Sequence, residues 1–117
     1  MKRLFIMALI VGMALPASAR LVDGNRLHQK CSVKDDSSTV FYMEDAFCTA
    51  YINGVIDAID GKSRGSSGGF FFCVPNNVSS KQAQDVVKNW LTNNPAERHY
   101  NAASLVAAAL SESFPCK

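Results

Sequence analysis

The stretch FYMEDAFCTAYINGVIDAID, residues 41–60, decides the fold of this 117-residue chain. Its apolar residues recur every three or four positions, which is the spacing of one helical face. The stripe consists of Phe47, Tyr51, Val55 and Ala58 or Ile59, flanked by Cys48, Ile52 and Ile56. Glu44 and Asp45 lie near the start of the segment, where the helix dipole favours negative charge. The pattern predicts a helix over residues 41–60, which ends at Gly61.

Gly54 falls in the middle of that predicted helix. A glycine there costs about 1 kcal/mol relative to alanine. Two explanations stay open: another backbone approaches closely at Gly54, or the residue is a tolerated accident.

Three further helices are predicted around this one. The first spans residues 21–31, with Leu21, Leu27 and Cys31 at helical spacing and Asp23 as a cap. The third spans residues 80–93 and begins at the capping box formed by Ser79 and Gln82.

The fourth helix is predicted to begin at Asn94-Pro95, with Glu97 in its first turn, and to run to about Ser113. Polar residues 32–39 and the glycine-serine run 61–69 are predicted loops. With no internal repeat, the sequence predicts one small all-α domain of four helices.

The N-terminus carries a signal-peptide pattern. Lys2 and Arg3 precede an apolar run, Leu4 to Leu15, and Ala17-Ser18-Ala19 supplies small residues for cleavage. The run is shorter than the roughly 20 apolar residues that span a bilayer, which disfavours a membrane anchor. We therefore expect residues 1–19 to be removed and residues 20–117 to form the mature domain, with no membrane segment.

The charge balance changes with that cleavage. Lys2 and Arg3 leave with the signal, so ten of the 12 Lys and Arg residues remain beside ten acidic residues. The mature chain is then neutral and shows no basic stripe of the kind that binds nucleic acid. We expect no nucleic-acid partner.

All four cysteines, Cys31, Cys48, Cys73 and Cys116, lie in the mature part. An even number in a short exported chain indicates two disulfides rather than a metal site or a catalytic thiol. Helices joined by short connections run antiparallel, which brings Cys31 near Cys48 and Cys73 near Cys116. This arrangement is favoured among the three possible connectivities.

No set of residues indicates catalysis. The cysteines are expected to be oxidised, and His28 and His99 belong to no motif. Asp57 and Asp60 share a helical turn, but carboxylates at a helix end are usually just solvated. We expect no catalytic residues, no metal ligands and no cofactor, hence a protein that acts by binding.

Four groups of motifs occur in a characteristic order over nearly the whole mature chain: FCTAYINGVID (residues 47–57), FCVP (72–75) with Val78 and Gln82, VV and WL before NP (86–95), and the segment from Ala103 to FPC (114–116). This order resembles that of the Rap/Tai immunity proteins, which protect bacteria against peptidoglycan-amidase toxins of type VI secretion systems. Two features depart from the pattern. The position before the tyrosine of the second helix, which is usually a small residue and often glycine, is Ala50 here, and the segment between Cys31 and Cys48 is long.

The resemblance implies a periplasmic protein that binds such a toxin and covers its active-site cleft, without chemistry of its own. It also implies a homodimer, for which the alanine-rich fourth helix is a candidate interface. The glycine-serine run beside three phenylalanines suggests the inserting loop, with Lys62 and Arg64 as polar contacts and Phe70 or Phe71 as an apolar anchor.

Three other functions stay open on the sequence. A periplasmic acid-stress chaperone is another kind of small helical disulfide protein, and it would expose apolar surface at low pH. An orphan binding module of the same fold would have no toxin, since fold transfers better than function. An enzyme is the least favoured of the three.

Overall fold

A computed structural model describes residues 21–60 and 72–116 of the chain. Its helices are α1 (Gly24–Cys31), α2 (Thr39–Ile59), α3 (Ser80–Asn93) and α4 (Ala102–Ser113), with a 3-10 turn at Pro95–Glu97. Within the described residues the only extended pairing is an isolated bridge between Asp23 and Asn101. The predicted all-α fold of four helices is confirmed.

Each α-helix begins at a polar side chain that accepts a hydrogen bond from a backbone N–H of the first turn. The caps are Asp23, Ser38, Ser79 and Asn101, with N···O distances between 2.8 and 3.1 Å to Arg26, Phe41, Gln82 and Ala103, respectively. These N–H groups have no partner inside the helix, so a capping oxygen satisfies them. The predicted caps Asp23 and Ser79 are confirmed.

The predicted start of the fourth helix was wrong. Pro95–Glu97 forms only a 3-10 turn, and the Asn94 side chain makes no capping bond to it. Arg98 instead donates from Nε to the Leu91 carbonyl at 2.6 Å and so ends α3. The chain then turns again before α4 begins at Ala102, so His99 lies before that helix and not in its first turn.

The N-termini of α1 and α4 are joined through their backbones. Gly24 N–H donates to the Tyr100 carbonyl at 3.0 Å, and Asn25 N–H donates to the Arg98 carbonyl at 2.8 Å. Ala102 N–H donates to the Val22 carbonyl at 2.9 Å. These bonds fix the first helix against the segment that leads into the last one.

The core lies where all four helices meet. Its largest fully buried side chains are Leu27, Cys48, Ile52, Phe72, Val87, Leu91, Val106 and Leu110. The stripe that faces the core on the second helix differs from the predicted one. Cys48, Ile52 and Val55 face the core, whereas Phe47 and Tyr51, which were predicted to lead the stripe, are only half-buried. α2 therefore carries apolar side chains beyond the face that the core uses.

Two disulfides tie the helices together, Cys31–Cys48 between α1 and α2 and Cys73–Cys116 between the segments that flank α3 and α4. The favoured connectivity is confirmed. Cys31 and Cys48 are buried, whereas Cys116 is exposed. The first bridge is part of the core, and the second closes its edge.

Candidate functional site

The residues predicted to contact a partner, Lys62, Arg64, Phe70 and Phe71, lie outside the described residues. The described residues present a different candidate, the outward face of α2. Its apolar side chains follow at spacings of three and four, which places them on one stripe of the helix. The stripe consists of Val40, Met43, Phe47, Ala50, Gly54 and Ala58.

This outer stripe is open to solvent along most of its length. Met43 is 67% exposed and Val40 is 62% exposed, although both are large apolar side chains. Phe47 and Tyr51 stack with their ring centroids 6.2 Å apart at the middle of the helix. α2 thus has two apolar faces, of which only one is covered by the described chain.

A shallow apolar groove continues the stripe onto α4. One part of it, of about 360 Å³, lies over the middle of α2, and an adjoining part of about 470 Å³ runs along α4. Ile59 and Ala103 line both parts. We call this feature the outer groove; it is lined by Ala50, Tyr51, Gly54, Val55, Ala58, Ile59, Ala103, Ser104, Ala107, Ala108 and Ser111.

Gly54 forms part of the floor of the outer groove. A Cβ built on it would meet no described atom within 4 Å, so packing inside the described chain does not require glycine there. Of the two explanations left open for this residue, close approach by a backbone of the described chain is thereby excluded. The space above Gly54 is open for something outside those residues.

Charge is distributed unevenly between the helices. α2 and α4 carry the acidic residues Glu44, Asp45, Asp57 and Glu112 and no lysine or arginine, whereas α1 carries Arg26 and Lys30 and no acidic residue. Lys30 forms an ion pair with Glu44 at 2.6 Å, on the side of α2 that faces α1. Asp57 and Glu112 are exposed and form no ion pair with another described residue.

A buried polar network fixes α2 against α3. Gln84 is 2% exposed, donates from Nε2 to Asp45 at 2.8 Å and accepts from the Thr49 hydroxyl at 3.3 Å. A buried amide that is satisfied in this way disfavours rotation of the helix, because rotation would leave polar groups unpaired. The network therefore helps to hold the outer stripe in its outward orientation.

The two histidines lie apart from the outer groove. His28, on α1, is within 3.0 Å of the Thr92 hydroxyl, and His99 packs against the Tyr100 ring with the centroids 4.0 Å apart. Partial burial and the positive charges of Arg98 and Lys88 lower the pKa of His28 from its ordinary value of 6.5. The folded protein thus favours the neutral imidazole.

We expect the stability of the fold to fall slightly as pH decreases through about 6.5, because the unfolded state then binds a proton more readily than the folded one. The decrease should stay below about 1 kcal/mol, since solvent screens a half-exposed ring. Urea midpoints between pH 8 and pH 5 measure it. In His28→Gln the fall in stability between pH 8 and pH 5 should disappear. If the variant shows the same fall as the wild type, other groups cause it.

Neither a metal centre nor a membrane-spanning helix is found in the described ranges. Residues 21–60 and 72–116 contain no group of three or more histidine, cysteine or acidic side chains placed to hold a metal ion. The same ranges contain no helix that is long and apolar enough to cross a bilayer.

The outer groove was missed at the level of sequence, although its signal was present. Val40, Met43, Phe47, Ala50 and Gly54 follow a 3-4-3-4 spacing, which marks a second apolar face beside Cys48, Ile52 and Val55. Periodicity shows that two stripes exist. It does not show which of them packs into the core.

Comparison with known proteins identifies the family of the whole domain. A search of curated proteins gave no match. The profile of the Rap1a immunity proteins, however, matches residues 23–116, from the cap of α1 to the last cysteine. Immunity proteins of this family are generally non-enzymatic and act against secreted toxins. Since the match covers every described helix and both disulfides, the chain belongs to the Rap1a immunity protein family.

Proposed function

We propose that this protein is a periplasmic immunity protein that binds a peptidoglycan-amidase toxin delivered by type VI secretion and occludes its active site. The observation that carries the proposal is the family match over residues 23–116. The amidase is the toxin class implied by the motif order around Cys48, Cys73 and Cys116.

The location in the periplasm is supported by two features of the chain. Both disulfides suit an oxidising compartment, since they are rare in proteins that stay in the cytosol. The first 19 residues match a secretory signal in charge, apolar length and cleavage site. An amidase that cuts the wall would act in the same compartment, where an inhibitor has to meet it.

The mechanism we propose is steric occlusion. A fold stapled by two disulfides loses little conformational freedom on binding, so more of the contact energy appears as affinity. The loop from Lys62 to Phe71 remains our proposal for the element that enters the cleft, with Arg64 as a polar contact and Phe70 as an anchor. The protein itself carries out no bond-breaking step.

A homodimer is part of the same proposal. Of the alanines on α4, Ala102 and Ala109 are buried within the chain, so only those that line the outer groove, Ala103, Ala107 and Ala108, lie on a face that a second copy could reach. Sedimentation equilibrium of the purified protein measures the mass directly. A single species at twice the chain mass supports the dimer, and a monomer at micromolar concentration contradicts it.

The test of the function is inhibition of a purified enzyme. The full chain is expressed in a bacterium, purified without reductant and titrated into peptidoglycan amidases encoded by the same strain. Release of new amino groups from isolated cell-wall sacculi is the readout. We expect stoichiometric inhibition of one amidase, with a Kd in the nanomolar range, and a purified protein that begins at Arg20 by mass.

A matched pair of variants tests the loop. Arg64→Ala/Phe70→Ala should weaken inhibition by about 100-fold if these side chains are anchors. Arg26→Ala/Leu21→Ala removes an arginine and an apolar side chain from exposed positions elsewhere and should inhibit like the wild type. Equal inhibition by both variants would exclude the loop, and no inhibition of any amidase by the wild type would exclude the function.

A further inference from the structure

We propose that the outer groove is a second part of the toxin-binding surface and that the toxin fills it with an apolar segment flanked by lysine or arginine side chains. The inference rests on the proposed function and deepens it, because it assigns a surface and a partner chemistry that the family match does not give. The apolar faces, the small side chains and the charges of α2 and α4 support it.

The described chain leaves part of the apolar surface of α2 uncovered. An apolar face of a helix is normally buried against another part of the protein or a partner. The core covers Cys48, Ile52 and Val55, whereas Met43 and Val40 remain more than half exposed on the opposite stripe. Large contiguous apolar surface on a small protein marks an interaction site.

The floor of the outer groove is built largely from small side chains. Ala50, Gly54 and Ala58 recur every four residues and give the middle of α2 a flat surface of small side chains. The absence of any described atom near the Gly54 Cβ position leaves this surface open. A backbone of a partner can therefore approach α2 more closely here than at a surface of large side chains.

Acidic side chains flank the outer groove and favour a cationic partner. By helical spacing Asp57 lies one turn after Gly54, just outside the groove on the side that faces the start of α3, and Glu112 lies one turn after Ala108, just outside its other side. Both carboxylates are exposed, and no lysine or arginine on α2 or α4 offsets them. The groove thus offers an apolar floor between acidic borders, which complements an apolar segment between cationic side chains.

The same charges disfavour a second copy of this chain as the occupant. In a twofold contact each surface meets itself, so the acidic borders of both copies would be brought to one interface. Like charges placed opposite each other disfavour association. A toxin segment that carries lysine or arginine beside its apolar side chains would instead place opposite charges at these borders.

The decisive variant is Gly54→Arg, because the open space above Gly54 lets the fold accept a side chain that blocks the groove. We expect it to weaken inhibition of the amidase by about 100-fold. Gly54→Gln, which blocks without charge, should weaken inhibition less. Asn89→Arg adds the same side chain at an exposed position on α3 and should inhibit like the wild type. Thermal unfolding of all three variants confirms that they are folded.

Charge reversal at Asp57 and Glu112 tests the acidic borders separately. Asp57→Lys/Glu112→Lys should weaken inhibition by about ten-fold at low salt and reduce the dependence of the Kd on salt concentration. Asp85→Lys/Glu97→Lys makes the same change of charge at exposed residues outside the groove and should leave the salt dependence unchanged.

A probe without the toxin separates this inference from the proposed function. A short synthetic helix of leucine, alanine and lysine is titrated into the labelled protein, and a second helix carries glutamate in place of lysine. We expect the lysine helix to shift the amide signals of Ala50, Gly54 and Ala103 in nuclear magnetic resonance spectra. The glutamate helix should bind about ten-fold more weakly or not at all.

Three results would overturn the inference. One is full inhibition by Gly54→Arg, and another is equal binding of both synthetic helices. The third is conversion of a dimer to a monomer by Gly54→Arg with unchanged inhibition, which would assign the groove to a contact between copies. If the wild type inhibits no amidase, the proposed function fails, and the two synthetic helices alone decide the chemistry of the groove.

Discussion

Replacing Cys31 and Cys48 by alanine is expected to lower the free energy of unfolding by about 4 kcal/mol. The bridge closes a loop of 17 residues, and releasing such a loop in the unfolded chain contributes about 3 kcal/mol. Both cysteines are buried in the core, and the space left by two sulfur atoms adds about 1 kcal/mol. Urea unfolding of the full chain, purified without reductant, gives this difference.

The second bridge is the control for that measurement. Cys73–Cys116 closes a longer loop of 43 residues, so its release contributes about 4 kcal/mol from chain entropy alone. Cys116 is exposed and its loss leaves no cavity in the core. The two double variants should therefore lose similar stability for different reasons. A loss below about 1 kcal/mol for Cys31→Ala/Cys48→Ala would show that the core relaxes around the missing sulfurs.

Access to reductant distinguishes the bridges further. A small dithiol should open Cys73–Cys116 first under native conditions, because a thiolate reaches the exposed Cys116 sulfur more readily than a buried one. Alkylation and mass mapping at successive times identify which cysteines are freed. If Cys31 and Cys48 were labelled first, this prediction would be wrong, and the core would open to the reductant more readily than the edge of the fold.

Gly24→Ala and Gly54→Ala are expected to change stability in opposite directions. A Cβ on Gly24 would lie 2.8 Å from the Arg98 carbonyl oxygen and would overlap the Leu105 side chain. The backbone of Arg98 cannot move away easily, because its carbonyl accepts a hydrogen bond from Asn25 N–H. This bond joins α1 to the connection between α3 and α4. Overpacking of this kind costs about 1–3 kcal/mol.

Gly54→Ala is the matched substitution in open space. With no described atom within 4 Å of the new Cβ, the gain in helix propensity should stabilise the protein by up to about 1 kcal/mol. Thermal unfolding of both variants measures the two effects in one experiment. A loss of stability in Gly54→Ala would mean that residues outside the described ranges pack against this face.

The helices could be predicted from local chemistry, while their orientation could not. Capping by Asp23 and Ser79 and the period of α2 depend on neighbouring residues, which the sequence states directly. The start of α4 was misplaced because Asn94-Pro95 satisfies the same local rule as a helix start but opens a 3-10 turn. The Asn101 cap and two backbone bonds, from Ala102 N–H to the Val22 carbonyl and from Gly24 N–H to the Tyr100 carbonyl, join the true start at Ala102 to a segment far away in sequence.

The candidate site depended even more on tertiary packing. The sequence presents Phe47 and Tyr51 as one apolar stripe and Cys48 and Ile52 as its flank, because both stripes have helical period. The contact of α1 and α3 with the Cys48 side, together with the Gln84 network, decides which stripe is covered. The outer groove then arises between α2 and α4, two helices that are distant in sequence.

The order of the two disulfides has a consequence for how the chain matures. Cys31 pairs with the next cysteine along the chain, and Cys73 pairs with the one that follows it. A chain that enters an oxidising compartment from its N-terminus therefore meets each correct partner before any wrong one beyond it. Oxidation in order of arrival gives the native bridges directly, so maturation needs an oxidant but no rearrangement of mispaired cysteines, a step that takes minutes to hours when uncatalysed.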